Sequence, residues 1–256
     1  MASKQETLNR TLTPALLSQV NNFWFSHICT EDARILPGKE DQMRWFKKDE
    51  QFDAACVEQF KPALDTLLNT GATAPELLAA VDTSSCLNWV SLLLLLDQIP
   101  RNCYRGDAAK IVFSQFDPLA VGVALEAVER GIPMLDPDVR WRLAYRTWFF
   151  LPLMHSEDLG VHERAIRLHE ETREDFEGFL KADAGSLEGR EKACYDVLKG
   201  REEELRERLK ALLDFEARHK AIVERFGKYP HRNQAMGRES TLEEAEYLEN
   251  GGETFG

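Results

Sequence analysis

Apolar residues recur along this chain at intervals of three and four, and hardly ever alternate. That spacing predicts helices almost throughout and strands almost nowhere. Thr13-Pro14 reads as an N-cap with proline at the first helical position, opening a helix through Phe25 with Leu16, Leu17, Val20, Phe23 and Trp24 on one stripe. A segment from about Asp41 to Lys48 leads into a longer helix carrying Phe52, Ala55, Cys56, Phe60, Leu64, Leu67 and Leu68, which Gly71 stops. Pro75 starts a short helix, and Thr83-Ser84-Ser85 caps a strongly apolar one running to Ile99. Pro100 is expected to break that helix, leaving Pro100 to Gly106 as a polar loop.

Asp117-Pro118 and Asp136-Pro137 repeat the start signal of a cap followed by proline, with Gly131 ending the helix between them. Ser156-Glu157-Asp158 opens a helix to about Ala182. From Leu187 to Phe226 the pattern is charged and heptad-like, with Leu198, Leu205, Leu209, Leu212, Phe215 and Ile222 inside, a bend or interruption at Gly200 and a stop at Gly227. Thr241-Leu242-Glu243-Glu244 is a capping box before a terminal helix. Helices joined by short turns imply an all-α fold of stacked antiparallel pairs, a bundle or a solenoid. The expected layout is one all-helical domain over 1–256, with N-terminal helices in 13–99, the polar loop at 100–106 and C-terminal helices in 107–250. No repeat of about 34 residues is visible.

Composition narrows the partners. Lys and Arg total 32 against 44 Asp and Glu, a formal net charge of −12. Nucleic-acid binding needs a basic face, so neither DNA nor RNA is expected, nor an anionic membrane surface. The most apolar run, Val90 to Leu96, is too short to cross a bilayer, and the polar start of the chain, Met1 to Asn9, has no signal-peptide pattern. Five scattered cysteines without a C-x-x-C pair fit a reduced, cytoplasmic protein. No cofactor motif of the Walker, Rossmann or nucleophile-elbow kind occurs, so no cofactor is expected.

Three stretches set polar groups against apolar flanks: LLLLLDQIPRNCYRG at 92–106, FFLPLMHSEDL at 149–159 and FGKYPHRNQAMGREST at 226–241. Asp97 follows five leucines, and a carboxylate there is costly unless paired, with Arg101 and Arg105 as the nearby partners. Each stretch also has a purely structural reading. Asp97 with Arg101 can be an ion pair at a helix end, and Ser156, Glu157 and Asp158 can simply cap a helix. A histidine beside an apolar run is commonly a core residue bonded to a carbonyl, and Arg238 can bind nearby carbonyls. Repetition favours function, because three such placements are expensive unless the groups satisfy one another or a ligand. His155, His162 and His169 recur at seven-residue spacing on one face, which is not the four-residue spacing of adjacent metal ligands on a helix. No metal is assigned to the site.

Those three stretches, in that order and with the early Trp24 and Trp45 segments, resemble the uncharacterised family called domain of unknown function 924. The resemblance spans nearly the whole chain and implies an all-helical fold of the tetratricopeptide-like superfamily, with no established activity. The positions that match are Asp97, Gln98, Pro100, Arg101, Asn102, Arg105 and Gly106; His155 to Asp158; His219, Phe226 and Gly227; and Pro230 to Asn233, Gly237, Arg238 and Thr241. The family usually has glutamine where this chain has His162, a change at the rim of any pocket.

The leading expectation is that the three stretches converge on one pocket for a small anionic or polar molecule. Asp97, Arg101, Asn102, Arg105, His219, Arg232, Asn233 and Arg238 would bind it, the guanidiniums holding a carboxylate or phosphate. His155 or His231 would carry a proton, with Glu157 or Asp158 fixing the tautomer, as in a lyase, isomerase or hydrolase. The alternatives are a helical scaffold that grips a peptide, its polar cluster a structural network, and a metal-dependent hydrolase using His155, Glu157, His219 and His231.

Overall fold

The computed structural model describes residues 2–255, and among them the chain is all-α with no strand. Nine helices form the frame: α1 (Lys4–Thr11), α2 (Pro14–Trp24), α3 (Glu50–Thr70), α4 (Cys86–Cys103), α5 (Asp117–Glu129), α6 (Leu159–Phe179), α7 (Gly189–Gly200), α8 (Glu202–Phe226) and α9 (Leu242–Glu249). Short helices join them. Local chemistry sets most ends. Thr13 caps α2 with Pro14 at its first position, Asp49 caps α3, and Gly71 in the left-handed region ends α3. Thr241 and Glu244 make the expected capping box on α9. The polar N-terminus holds a helix the apolar pattern did not announce: Ser3 and Glu6 form a capping box that opens α1.

α4 is the centre. Leu92, Leu93, Leu94, Leu95 and Leu96 are all buried, so the helix meets apolar neighbours on every side. α2, α3 and α5 pack against it, while α6 and α8 pair beside this core. His162 at the start of α6 meets Glu216 late in α8, and Phe176 and Phe179 share a cluster with Leu205 and Leu209. Those two helices therefore run antiparallel. α3 has 21 residues, α4 has 18, α6 has 21 and α8 has 25, so the pairs are not copies of one unit.

Two expectations about helix starts and stops fail, and both failures shape the site. Pro100 does not break α4, which continues through Cys103 and closes with Tyr104 N–H on the Pro100 carbonyl at 2.8 Å. A proline inside a helix costs about 3 kcal/mol. Each buried leucine contributes about 1.5–3 kcal/mol, so packing outweighs the defect. Residues 101–103 are thus helix rather than loop. Asp117-Pro118 does not start a helix either: the helical path runs from Gly106 to Glu129, through a π turn at Val112–Phe116. By length and composition this path could cross a membrane. Here Val112, Phe116, Ala120, Val123, Ala124 and Ala127 are buried, and the path packs on α4.

Smaller differences have local causes. The segment expected from Asp41 begins at Lys39, where Asp41 accepts the Gly38 N–H. Asp136 ends the short helix Ile132–Leu135 and then accepts the Asp138 N–H, which makes a turn rather than a helix start. Asp158, not Ser156, is the N-cap of α6. Arg201 interrupts the long charged segment next to Gly200, separating α7 from α8.

Candidate functional site

Because α4 continues past Pro100, Asp97 and Arg101 lie one turn apart on the same face. Asp97 is only 2% exposed, and three neighbours serve its carboxylate: Gln98 Nε2 at 2.6 Å, His155 Nδ1 at 2.6 Å and Arg101 Nη2 at 3.4 Å. Burial by itself would raise its pKa. The charges of His155 and Arg101 and the hydrogen bonds from His155 and Gln98 outweigh burial and hold Asp97 at about 2.

The second carboxylate is Asp117. The π turn that precedes it sets Phe113 and Asp117 one turn apart, and both face Arg232. Asp117 is buried and accepts Arg101 Nη2 at 2.6 Å and Arg232 Nη1 at 3.3 Å. Arg232 arrives from the far end of the chain. Gly227 turns with φ of +69° to stop α8, and the short helix Pro230–Arg232 then carries the guanidinium inward. It lies 4.5 Å from the rings of both Phe113 and Tyr229 and donates to the His155 carbonyl at 3.0 Å. Burial lowers the Arg232 pKa, and Asp117 offsets part of that effect.

The result is a chain of alternating charges, Asp97–Arg101–Asp117–Arg232, balanced two against two, with His155 at its Asp97 end. His155 ends the buried helix Leu151–Met154, and its side chain keeps 14% exposure. Asp97 is ionised and can only accept, so His155 donates to it through Nδ1–H and turns Nε2 away from it. Among the described residues Nε2 makes no hydrogen bond. A partly open ring backed by a buried carboxylate can take up and return a proton.

Asp97, Arg101, His155 and Arg232 therefore meet, joined by Asp117, which the sequence pattern presents as a cap. The signal was present, because Asp117 is the one charged residue in the stretch from Ile111 to Leu125. The other expected residues lie elsewhere. Arg105 reaches out to Asp53 on α3 at 2.8 Å and to Asn102 at 3.0 Å, while Asn102 Nδ2 binds the Gln98 carbonyl. Glu157 is gripped by Arg238 at 2.6 and 3.0 Å and accepts the Tyr229 N–H at 2.9 Å. That pins the 229–238 turn to the start of α6, so the group holding the His155 tautomer is Asp97, not Glu157 or Asp158. Asp158 is exposed and accepts the N–H groups of Gly160 and Val161. Asn233 binds Glu244 and Ser240.

A second buried group surrounds Tyr229. His162, fully buried, binds Glu216 at 2.6 Å through Nδ1 and the Ser156 carbonyl at 2.9 Å through Nε2. Tyr229 donates its hydroxyl to the Met154 carbonyl at 2.6 Å. His219 donates Nδ1–H to the Phe215 carbonyl at 2.8 Å, and burial pulls its pKa down to about 3. His231 is pulled down to about 4, by burial first and by Arg232 second. Glu216 gave no sign in the sequence, where it reads as one more acid on a charged helix.

With Glu157 held by Arg238 and His219 Nδ1 by a carbonyl, the four residues named for a metal hydrolase do not form one ligand set. Two donor sets do come within 4.8 Å of one another among the described residues: Cys86, Asp136 and Asp138 away from this cluster, and Asp97, Asp117 and His155 within it. Arg101 supplies the positive charge between those two carboxylates. Two surface cavities, of about 300 and 390 Å³, are lined by other residues, around Tyr247 and around Gly122.

Residues 20–252 match the sequence profile described as "Bacterial protein of unknown function (DUF924)". Among solved structures, the chain is similar to a protein of unknown function from Agrobacterium tumefaciens, ATU0120. The two share 29% identity with a TM-score of 0.58, over 93% of this chain and 98% of that one. No curated protein matches.

Proposed function

This chain belongs to the bacterial family of unknown function DUF924, and we propose that it binds a small anionic or polar molecule beside His155 and performs acid–base chemistry on it. The observation that carries this reading is the 2.6 Å bond from His155 Nδ1 to buried Asp97, with the ring still 14% exposed. His155 Nε2 accepts a proton from the bound molecule or returns one to it. Asp97 acts as a positioning residue that fixes the tautomer and stabilises the imidazolium. Arg101, 16% exposed on its side chain, commits Nη2 to the carboxylates and leaves Nη1 without a bond among the described residues. That edge suits an anionic group on the ligand. The reaction class is lyase, isomerase or hydrolase. Five free thiols support the cytoplasm as its compartment.

A scaffold role for the same cluster draws support from how completely its charges pair, since Asp97, Arg101, Asp117 and Arg232 tie α4, α5 and the 229–233 turn together. His155→Gln separates the two readings. Thermal unfolding is followed with a panel of small carboxylates and phosphates, and circular dichroism checks the fold. The expected result is a folded variant that loses the stabilisation some panel member gives the wild type. A variant that unfolds, with no panel member stabilising the wild type, overturns the acid–base reading in favour of the scaffold.

A further inference from the structure

At the end of α8, a recess is filled by the chain itself. Gly251 turns at φ of +77°, and Gly252 lies so close to Tyr247 that a Cβ there would come within 2.5 Å of its ring. Glycines at both positions let the tail fold back, and Phe255 lands among Phe215, His219, Tyr229 and His231. His219 stacks on its face at 3.5 Å between centroids with 19° between planes. Phe215, Tyr229 and His231 meet it edge-on at 5.5, 6.3 and 6.4 Å, with planes inclined by 84°, 83° and 79°. One stacked face and three edges make a box shaped for a flat ring.

The box offers more than Phe255 uses. Both ring nitrogens of His231 are shielded from water and have no hydrogen-bond partner among the described residues. The Phe255 backbone gives that ring a poorly aligned contact, which raises the His231 pKa against the lowering by burial. A neutral imidazole carries one donor and one acceptor, and leaving both unmade while buried is unfavourable. A phenyl ring cannot supply partners, whereas a ring with an amide edge supplies both. Beyond the Gly252 N–H to the Tyr247 carbonyl at 2.9 Å, the tail is held at the surface, by Arg218 to Glu253 at 2.6 Å and by the Tyr247 hydroxyl to the Glu253 carbonyl at 3.3 Å. Exposed pairs of this kind hold weakly. Phe215 is 36% exposed, so one wall of the box opens to solvent.

We propose that the box of Phe215, His219, Tyr229 and His231 is a binding site for a planar aromatic or heteroaromatic ring bearing a polar, carboxamide-like edge, and that Phe255 is its displaceable resident. The site does not include His155, so it stands or falls separately from the acid–base reading. Benzamide is the probe, titrated into the full chain while the histidine ring nitrogens are followed by NMR. Phe255→Ala is expected to bind benzamide about tenfold more tightly than the wild type, since the wild type must first evict its own ring. The His219 and His231 resonances should move together as benzamide is added. Equal affinity in the two proteins, no binding to the variant, or shifts confined to other histidines would overturn the proposal. Should Phe255→Ala fail to fold, Glu253→Gln keeps the ring and loosens its anchor. It must then bind benzamide more tightly than the wild type, and unchanged affinity counts against the site.

Discussion

Replacing Asp97 with asparagine removes the one charge that His155, Arg101 and Gln98 all address, while keeping the side chain's shape. The carboxylate is held at about 2 against an ordinary 3.8. That difference is worth about 2 kcal/mol of folding stability at neutral pH. Removing one member of a buried charge pair also strands its partners, and such losses run to about 3–5 kcal/mol. The amide oxygen of the substituted side chain can still accept the His155 Nδ1–H, so a total loss of about 2–4 kcal/mol is expected for Asp97→Asn at pH 7. The pH dependence is more specific than the magnitude. A carboxylate whose folded pKa is depressed stabilises the fold above its unfolded pKa and loses that effect as pH falls through its folded pKa. For Asp97 the window runs from about 4 down to about 2. At pH 3 its contribution has dropped to about half, so the gap between wild type and variant should narrow by about 1 kcal/mol between pH 7 and pH 3. Urea denaturation of both proteins at several pH values measures that gap, and the other carboxylates cancel in the comparison. A gap that stays constant from pH 7 to pH 3, or a variant as stable as the wild type, would refute the claim that Asp97 is a buried, ionised anchor.

Two further substitutions examine the supports. Arg232→Lys keeps the charge but loses the flat group lying against Phe113 and Tyr229 and the bond to the His155 carbonyl, so chemical denaturation should show a loss of about 3 kcal/mol. Stability within about 0.5 kcal/mol of the wild type would mean that any cation serves there. Glu157→Gln breaks the two-pronged grip of Arg238 on a partly exposed pair, with an expected loss of about 1 kcal/mol and faster amide hydrogen exchange at Tyr229, whose N–H it holds. Unaltered exchange at Tyr229 would show that the turn stays docked without Glu157.

The hydrophobic period and the caps determined a good deal by themselves: the all-helical class, the stops at Gly71 and Gly227, the capping box at Thr241 and the break beside Gly200. These depend on residues within a few positions of one another, and the chain carries that information locally. Tertiary structure decided the remainder. Pro100 looked like a stop because its own chemistry opposes a helix, yet the leucine core around α4 overrode it and brought Arg101 onto the face of Asp97. Asp117 looked like a cap because a proline follows it, but its carboxylate was needed inside, where Arg101 and Arg232 wait. The same holds for His155 finding Asp97 across 58 residues and Arg232 finding Asp117 across 115. Burial strips water from these charges and forces each to find its opposite wherever the packed helices bring one, and no periodicity along the chain encodes that distance.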